Sequence, residues 1–116
     1  MSLSPLEYLR HVLDEADYLA VEVARLTRER FLSDETAKRA FVRSIEIVGE
    51  AIKKVPDNLR TKYPDIKWRA MAAMRDKMVH NYFGIDYEIV WDVVVNKIPV
   101  VRTQVAELLR KEGKPA

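Results

Sequence analysis

Apolar residues recur every three to four positions through most of this chain, a spacing that predicts helices almost throughout. Leu6, Leu9, Val12/Leu13, Ala16, Leu19/Ala20, Val23 and Leu26 make the first stripe. Ser4-Pro5-Leu6-Glu7 opens it with a capping serine, a proline at the first helical position and a glutamate suited to a capping box. The first helix is expected to run to about Arg28, where "FLSDET" breaks the pattern and Ser33 or Asp34 can cap the next helix. Ala37, Ala40/Phe41, Ile45, Val48 and Ile52 form the second stripe, closed by Pro56 and Asp57. "NLRTKY" reads as a short helical turn before Pro64.

A third long helix begins near Trp68, carrying Met71, Met74 and Met78 as a flexible apolar stripe for core packing. Gly84 is a natural stop for it. Asp86 then caps "YEIVWDVVVNKI", and Pro99 is expected to kink or break the run before "VVRTQVAELLRK". Val93, Val94 and Val95 favour strand locally, but the long periodic frame and the Leu-rich ending favour helix. The pattern predicts an all-α bundle of four to five helices. With no Gly-rich or Pro-rich linker and no internal repeat, residues 1–116 read as a single domain.

Composition narrows the function classes. The 116 residues include no cysteine, which excludes disulfides, thiolate metal sites and cysteine nucleophiles. A formal charge of +2 proves no nucleic-acid partner, yet leaves a polyanion unrepelled. Glu7, Arg10, Asp14 and Glu15 interrupt the N-terminal segment, so it lacks the apolar region of a signal peptide. No apolar run approaches the ~20 residues needed to span a bilayer. A cytoplasmic protein without membrane association is expected.

One segment is richer in polar groups than packing requires. "MRDKMVHNYFG", Met74 to Gly84, holds Arg75, Asp76, His80, Asn81 and Tyr82, and His80 is one of only two histidines. At about 100° per residue, Arg75 and Tyr82 fall nearly on one helix face. Asp76 and His80 are four apart, so the carboxylate can reach the imidazole, orient it and favour its protonated form. Arg75 and His80, five apart, are separated by roughly 140° and converge only through arginine's reach, a distorted helix end or a partner subunit. The plainer alternative is a helix-terminal histidine meeting free carbonyls.

At these residues the chain resembles the HepT-type HEPN-domain proteins, the toxin halves of HepT/MntA toxin–antitoxin pairs. Arg75-x4-His80-x-Tyr82 looks like the family's Arg-x4-His-x-Tyr motif. "RSIEIVGEAIKKV" (Arg43–Val55), "YPDIKWRAMAAMRDKMVHNYFGID" (Tyr63–Asp86) and "YEIVWDVV" are similar to family landmarks in the expected order. Asp76 fits the polar residue usually found after the motif arginine, whereas Asn81 stands where glycine is frequent.

The resemblance implies a HEPN-type up-and-down bundle acting as a metal-independent endoribonuclease, with the motif lining a cleft between the subunits of a homodimer. It also implies an MntA-like nucleotidyltransferase antitoxin that transfers AMP to Tyr82. Arg75 and His80 would then be catalytic, Asp76 and Tyr82 supporting. Arg75 can bind phosphate oxygens bidentately, and His80 can move protons near neutral pH. No cofactor is expected. A rival from another class is a non-catalytic HEPN module that binds a nucleotide or a protein partner.

Other residues have plainer readings beside sharper ones. Glu50 can pair with a basic residue near the cleft or serve as an ordinary bundle carboxylate, and Asn81 is a further candidate to support the catalytic pair from beside it. Gly49 inside a helix costs roughly 1 kcal/mol relative to alanine, which points to a close helix–helix approach. Arg39, Arg43, Lys53 and Lys54 form either a basic wall for RNA or a solvated face. His11 reads as a surface histidine, and Trp68 and Trp91 as core or interface anchors. No second histidine stands at helical spacing from His80, so no metal site is expected.

Overall fold

The computed structural model describes residues 3–80 and 82–113; of Val79, His80 and Tyr82 it describes the backbone without the side chain. The described elements are all helical: α1 (Pro5–Ala24), α2 (Arg28–Ser33), α3 (Glu35–Lys53), α4 (Asp57–Lys62), α5 (Trp68–His80), α6 (Tyr87–Asp92) and α7 (Ile98–Glu112). A 3₁₀ turn, Tyr82–Gly84, follows α5, and a π-helical turn, Val93–Lys97, joins α6 to α7 in one long rod. Four long elements therefore make the bundle, with α2 and α4 as short connectors, which is the predicted all-α class. Among the described residues no helix is long and apolar enough to cross a membrane.

Local chemistry sets most of the starts. Ser4 Oγ accepts from the Glu7 amide at 3.2 Å, and the Ser4 amide donates back to Glu7 Oε1 at 3.4 Å, closing the capping box. Asp34 caps α3 through the Ala37 amide, and Asp86 caps α6 through the Glu88 amide, both at 3.0 Å.

Three boundaries differ from the sequence expectation. α1 ends at Ala24 rather than near Arg28, because Thr27 accepts from the Arg30 amide at 3.1 Å and starts α2. That separate turn drives Phe31 into the core, where its ring lies 4.7 Å from Phe41 and 5.4 Å from Trp91. α5 ends at His80, four residues before Gly84, and no described glycine has a positive φ. A left-handed glycine cap is thus not the device that stops α5. Pro99 does not break the last helical run, since it occupies the first turn of α7, where a missing amide hydrogen costs little. The wide turn before it, with the Ile98 amide donating to the Val93 carbonyl, absorbs the change.

α3 is the centre of the packing, lying against α5 on one side and α1 on the other, while α1 also packs on α7. Leu9, Val12, Ala16 and Leu19 of α1 meet Ile45, Val48 and Ile52 of α3 in a fully buried core. Met71 and Met78 join it from α5, as their spacing predicted.

The far end of the bundle is tied by polar contacts. Tyr63 donates its hydroxyl to Glu112 Oε2 at 2.6 Å, and Lys62 Nζ approaches the same oxygen at 2.7 Å. Donation to a carboxylate favours the protonated phenol, so the Tyr63 pKa is pushed up to about 12 from 10.0. A raised folded-state pKa contributes stability that is complete below pH 10 and lost as pH rises through 12. The expected result is that wild-type melting temperature falls more steeply between pH 10 and 12 than that of Tyr63→Phe, which lacks this proton. Thermal melts across that range check it, and parallel curves would contradict it.

Candidate active site

The site begins with a glycine. A Cβ built on Gly49 would lie 2.2 Å from Arg75 Cβ, 2.9 Å from Arg75 Cγ and 3.2 Å from the Met71 carbonyl oxygen. The backbone of α3 therefore presses directly on the stem of Arg75, and any side chain at position 49 would force the helices apart. This is the close approach that Gly49 pointed to, and it occurs at the motif arginine.

One residue further along α3, Glu50 Oε2 pairs with Arg75 Nη2 at 3.2 Å. On the other side, Arg75 Nη1 donates to Asp76 Oδ1, also at 3.2 Å. Lys53 Nζ donates to that same Asp76 oxygen at 3.0 Å. Two residues of α3 and two of α5 thus form a chain of alternating charge, Glu50, Arg75, Asp76 and Lys53. The hydrogen bond from Lys53, followed by that from Arg75, holds the Asp76 carboxyl below the usual carboxylate range.

The arrangement fixes a guanidinium without using it up. A guanidinium carries five N–H donors, and two carboxylate contacts leave donors for a phosphate. Arg75 keeps 28% of its side-chain surface, so an anion can reach it from solvent. Both carboxylates lock its rotamer, which is the preorganisation that transition-state stabilisation requires.

A cavity of about 320 Å³ opens beside this network, between α1, α3 and α5. Tyr8 and His11 of α1 line it, as do Arg43, Glu46 and Glu50 of α3, and Arg75 stands at its edge. His11 is exposed, as its sequence context suggested, yet it borders the same hollow as the motif arginine. The four basic residues weighed as an RNA wall have different surroundings. Arg43 lines the cavity and Lys53 is bonded to Asp76, whereas Arg39 is exposed and Lys54 follows α3 as its C-cap.

Arg75, Asp76 and Glu50 are therefore brought together. His80 closes α5, one helical turn beyond Asp76, and Tyr82 opens the following 3₁₀ turn. Their side chains, and Asn81 altogether, lie outside the described residues, as does the expected Asp76–His80 contact. Sequence reasoning missed Lys53 as the direct partner of Asp76, and missed Tyr8 and Glu46 as neighbours of the site. The signal for Glu46 was its place four residues before Glu50, on the face of α3 that carries Gly49 toward α5.

Residues 7–108 match the model of the family described as Ribonuclease HepT-like. This chain belongs to the HepT-like ribonuclease family. A candidate RNase of Caldanaerobacter subterraneus subsp. tengcongensis is 43% identical over 109 residues, covering 94% of this chain and 97% of that protein. A candidate RNase of Methanocaldococcus jannaschii is 44% identical over 85 residues, covering 73% of this chain and 70% of the relative. A protein named as a probable ribonuclease HepT, from Thermococcus cleftensis, is 36% identical over 111 residues, 96% of this chain and all of its own length. No solved structure matches the chain. In this HepT-like ribonuclease the motif arginine is thus seated where the backbone of α3 presses on α5 at Gly49.

Proposed function

We propose that this HepT-like ribonuclease is a single-domain, metal-independent endoribonuclease, the toxin of a toxin–antitoxin pair, acting in the cytoplasm as a homodimer. The observation that carries the catalytic reading is the Arg75 guanidinium, fixed by Glu50 and Asp76 and still open to solvent. In the proposed reaction the 2′-hydroxyl of a ribose attacks the adjacent phosphorus while a base takes its proton. The P–O5′ bond breaks, and an acid protonates the leaving 5′-oxygen. The products are a 2′,3′-cyclic phosphate and a 5′-hydroxyl. Arg75 stabilises the extra negative charge on the phosphorane. His80 supplies proton transfer, worth typically ~10²–10⁴-fold. One histidine serves awkwardly as both acid and base, so a dimer bringing two His80 residues to one cleft resolves the chemistry.

The test is cleavage of RNA in EDTA by wild type and His80→Ala. Wild type is expected to release 5′-hydroxyl fragments, and the variant to lose about two or more orders of magnitude in rate. Equal rates for the two proteins would remove His80 from the mechanism. Failure of the wild type to cut any RNA would favour a non-catalytic nucleotide- or partner-binding module.

Control by a nucleotidyltransferase antitoxin is the second part of the proposal. Transfer of AMP from ATP to the Tyr82 hydroxyl, with pyrophosphate leaving, would place a phosphodiester and an adenosine close to the motif. A phosphate there can capture Arg75 in place of RNA. Co-expression with an MntA-like partner is expected to yield protein heavier by one or more AMP units on Tyr82, with cleavage lost. Tyr82→Phe should escape both effects. Peptide mass spectra showing unmodified Tyr82 after incubation with active partner and ATP would reject this control and leave the nuclease assignment standing.

A further inference from the structure

The cavity beside Arg75 has a lining that the motif and the ion-pair network explain only at Arg75 and Glu50. Its volume, about 320 Å³, is at the small end of ligand pockets, suited to one compact molecule rather than a stretch of chain. Its walls are of three kinds. Tyr8 and Ile47 supply an aromatic ring and an apolar surface. Arg43 and Arg75 supply cations, Arg43 being largely in solvent with 72% of its side chain exposed. Glu46 and Glu50, one helical turn apart, supply carboxylates.

A free phosphate would gain nothing from the carboxylates, and an acidic peptide would be repelled by them. A ligand with an anionic end, a flat apolar body and an edge of hydrogen-bond donors satisfies all three walls. A nucleotide has these three parts.

Glu46 narrows the choice of base. Its carboxylate keeps only 23% exposure, and its ion-pair contact, Oε2 to Arg43 Nη1, is 3.6 Å long and beyond hydrogen-bond distance. Lone pairs on a carboxylate facing a partly desolvated hollow favour a partner with two adjacent donors. Guanine offers that pair on its Watson–Crick edge, N1–H beside the N2 amino group. Adenine and cytosine each present a ring-nitrogen acceptor beside the amino group, and uracil flanks its single N–H with two carbonyls. Those bases would set an acceptor against the carboxylate.

The geometry points to a guanosine-selecting subsite between α1 and α3, in which Glu46 reads the base edge and Tyr8 stacks on its face, with the adjoining phosphate delivered to Arg75. The inference rests on the ribonuclease reading for its substrate, but the pocket itself is testable without turnover. Bases in single-stranded RNA are recognised in this way, by aromatic stacking and hydrogen bonds to exposed edges. The reaction needs no further group, since the subsite only chooses which phosphodiester meets Arg75.

The experiment has a binding arm and a cleavage arm. In the first, calorimetric titration compares guanosine 3′-monophosphate, adenosine 3′-monophosphate and cytidine 3′-monophosphate on the full chain. Guanosine 3′-monophosphate is expected to bind about 10-fold or more tightly than the others, the discrimination of one good bidentate pair. Glu46→Gln exchanges one acceptor oxygen for an amide donor at nearly constant shape, so it should fold. It is expected to lose the guanosine preference and turn it toward adenosine, whose edge matches an amide. Tyr8→Ala should weaken all three ligands together. In the cleavage arm, short RNAs differing in one base should be cut preferentially beside guanosine, with the same shift in Glu46→Gln.

Equal affinities in the wild type, or a guanosine preference untouched by Glu46→Gln, would overturn the subsite. Absence of cleavage beside a clear guanosine preference in binding would instead overturn the nuclease reading and leave the subsite in place.

Discussion

Arg75→Ala is expected to lower RNA cleavage by about 10²–10³-fold, the usual cost of removing one preorganised donor from a developing charge. The fold should scarcely notice. Asp76 retains Lys53 at 3.0 Å, and Glu50 is half exposed, so neither carboxylate is left buried and unpaired. Partly exposed ion pairs of this kind contribute little to stability. Cleavage rate and melting temperature should therefore separate cleanly. Arg75→Lys keeps the charge but loses the planar fork, and is expected to recover only part of the rate. Measured single-turnover rates with paired thermal melts decide the matter. An Arg75→Ala protein that cuts as fast as wild type would show that the assigned site is wrong.

Gly49→Ala is the second large expected effect, and it acts on the same guanidinium from behind. Helix propensity alone predicts a gain of about 1 kcal/mol for this change. Sterics oppose it, because the new methyl would stand 2.2 Å from Arg75 Cβ and 3.2 Å from the Met71 carbonyl oxygen. Neither atom is the free end of a flexible chain, so α3 and α5 must separate, and overpacking of this sort costs about 1–3 kcal/mol. The net expectation is a loss of about 1–2 kcal/mol, with each kcal/mol lowering melting by roughly 4–8 °C in a domain of this size. Displacement of Arg75 should also reduce cleavage, by as much as about 100-fold for a shift near 1 Å. The double variant Gly49→Ala/Arg75→Gly removes the clash with the Arg75 side chain, leaving only the Met71 contact, and should recover more stability than the two single changes predict, while remaining inactive. Additive stabilities would mean that the two positions do not press on each other.

These two residues also mark how far the sequence was readable. Gly49 signalled a close approach because a glycine inside a helix needs a reason, but nothing in the chain said that Arg75 was the neighbour. That knowledge requires the register of α3 against α5, a tertiary fact with no local trace. The same holds for Lys53 and Asp76, 23 residues apart in the chain and bonded across the helices. Starts of helices were legible where capping is local, as at Ser4, Asp34 and Asp86. The end of α1 was not, because its apolar stripe continues to Leu26 and gives no hint that Thr27 begins a new turn. Pro99 misled for a related reason: a proline breaks a helix only where an amide is needed, and the π turn before it makes that need disappear. The motif from Arg75 to Tyr82 brought out the family together with the landmarks around it, and the roles proposed for His80 and Tyr82 rest on that resemblance and on their chemistry.

The alternating quartet of Glu50, Arg75, Asp76 and Lys53 has a kinetic side. Two cations and two carboxylates cancel, so from a Debye length of about 8–10 Å away the quartet exerts almost no pull on a polyanion. Encounter with RNA at this spot is then unsteered, and its rate should depend only shallowly on ionic strength. Attraction arises once a phosphate is close enough to meet the guanidinium donors that Glu50 and Asp76 leave free. Such a centre ignores the bulk of passing polyanions and responds to the strand that has already docked.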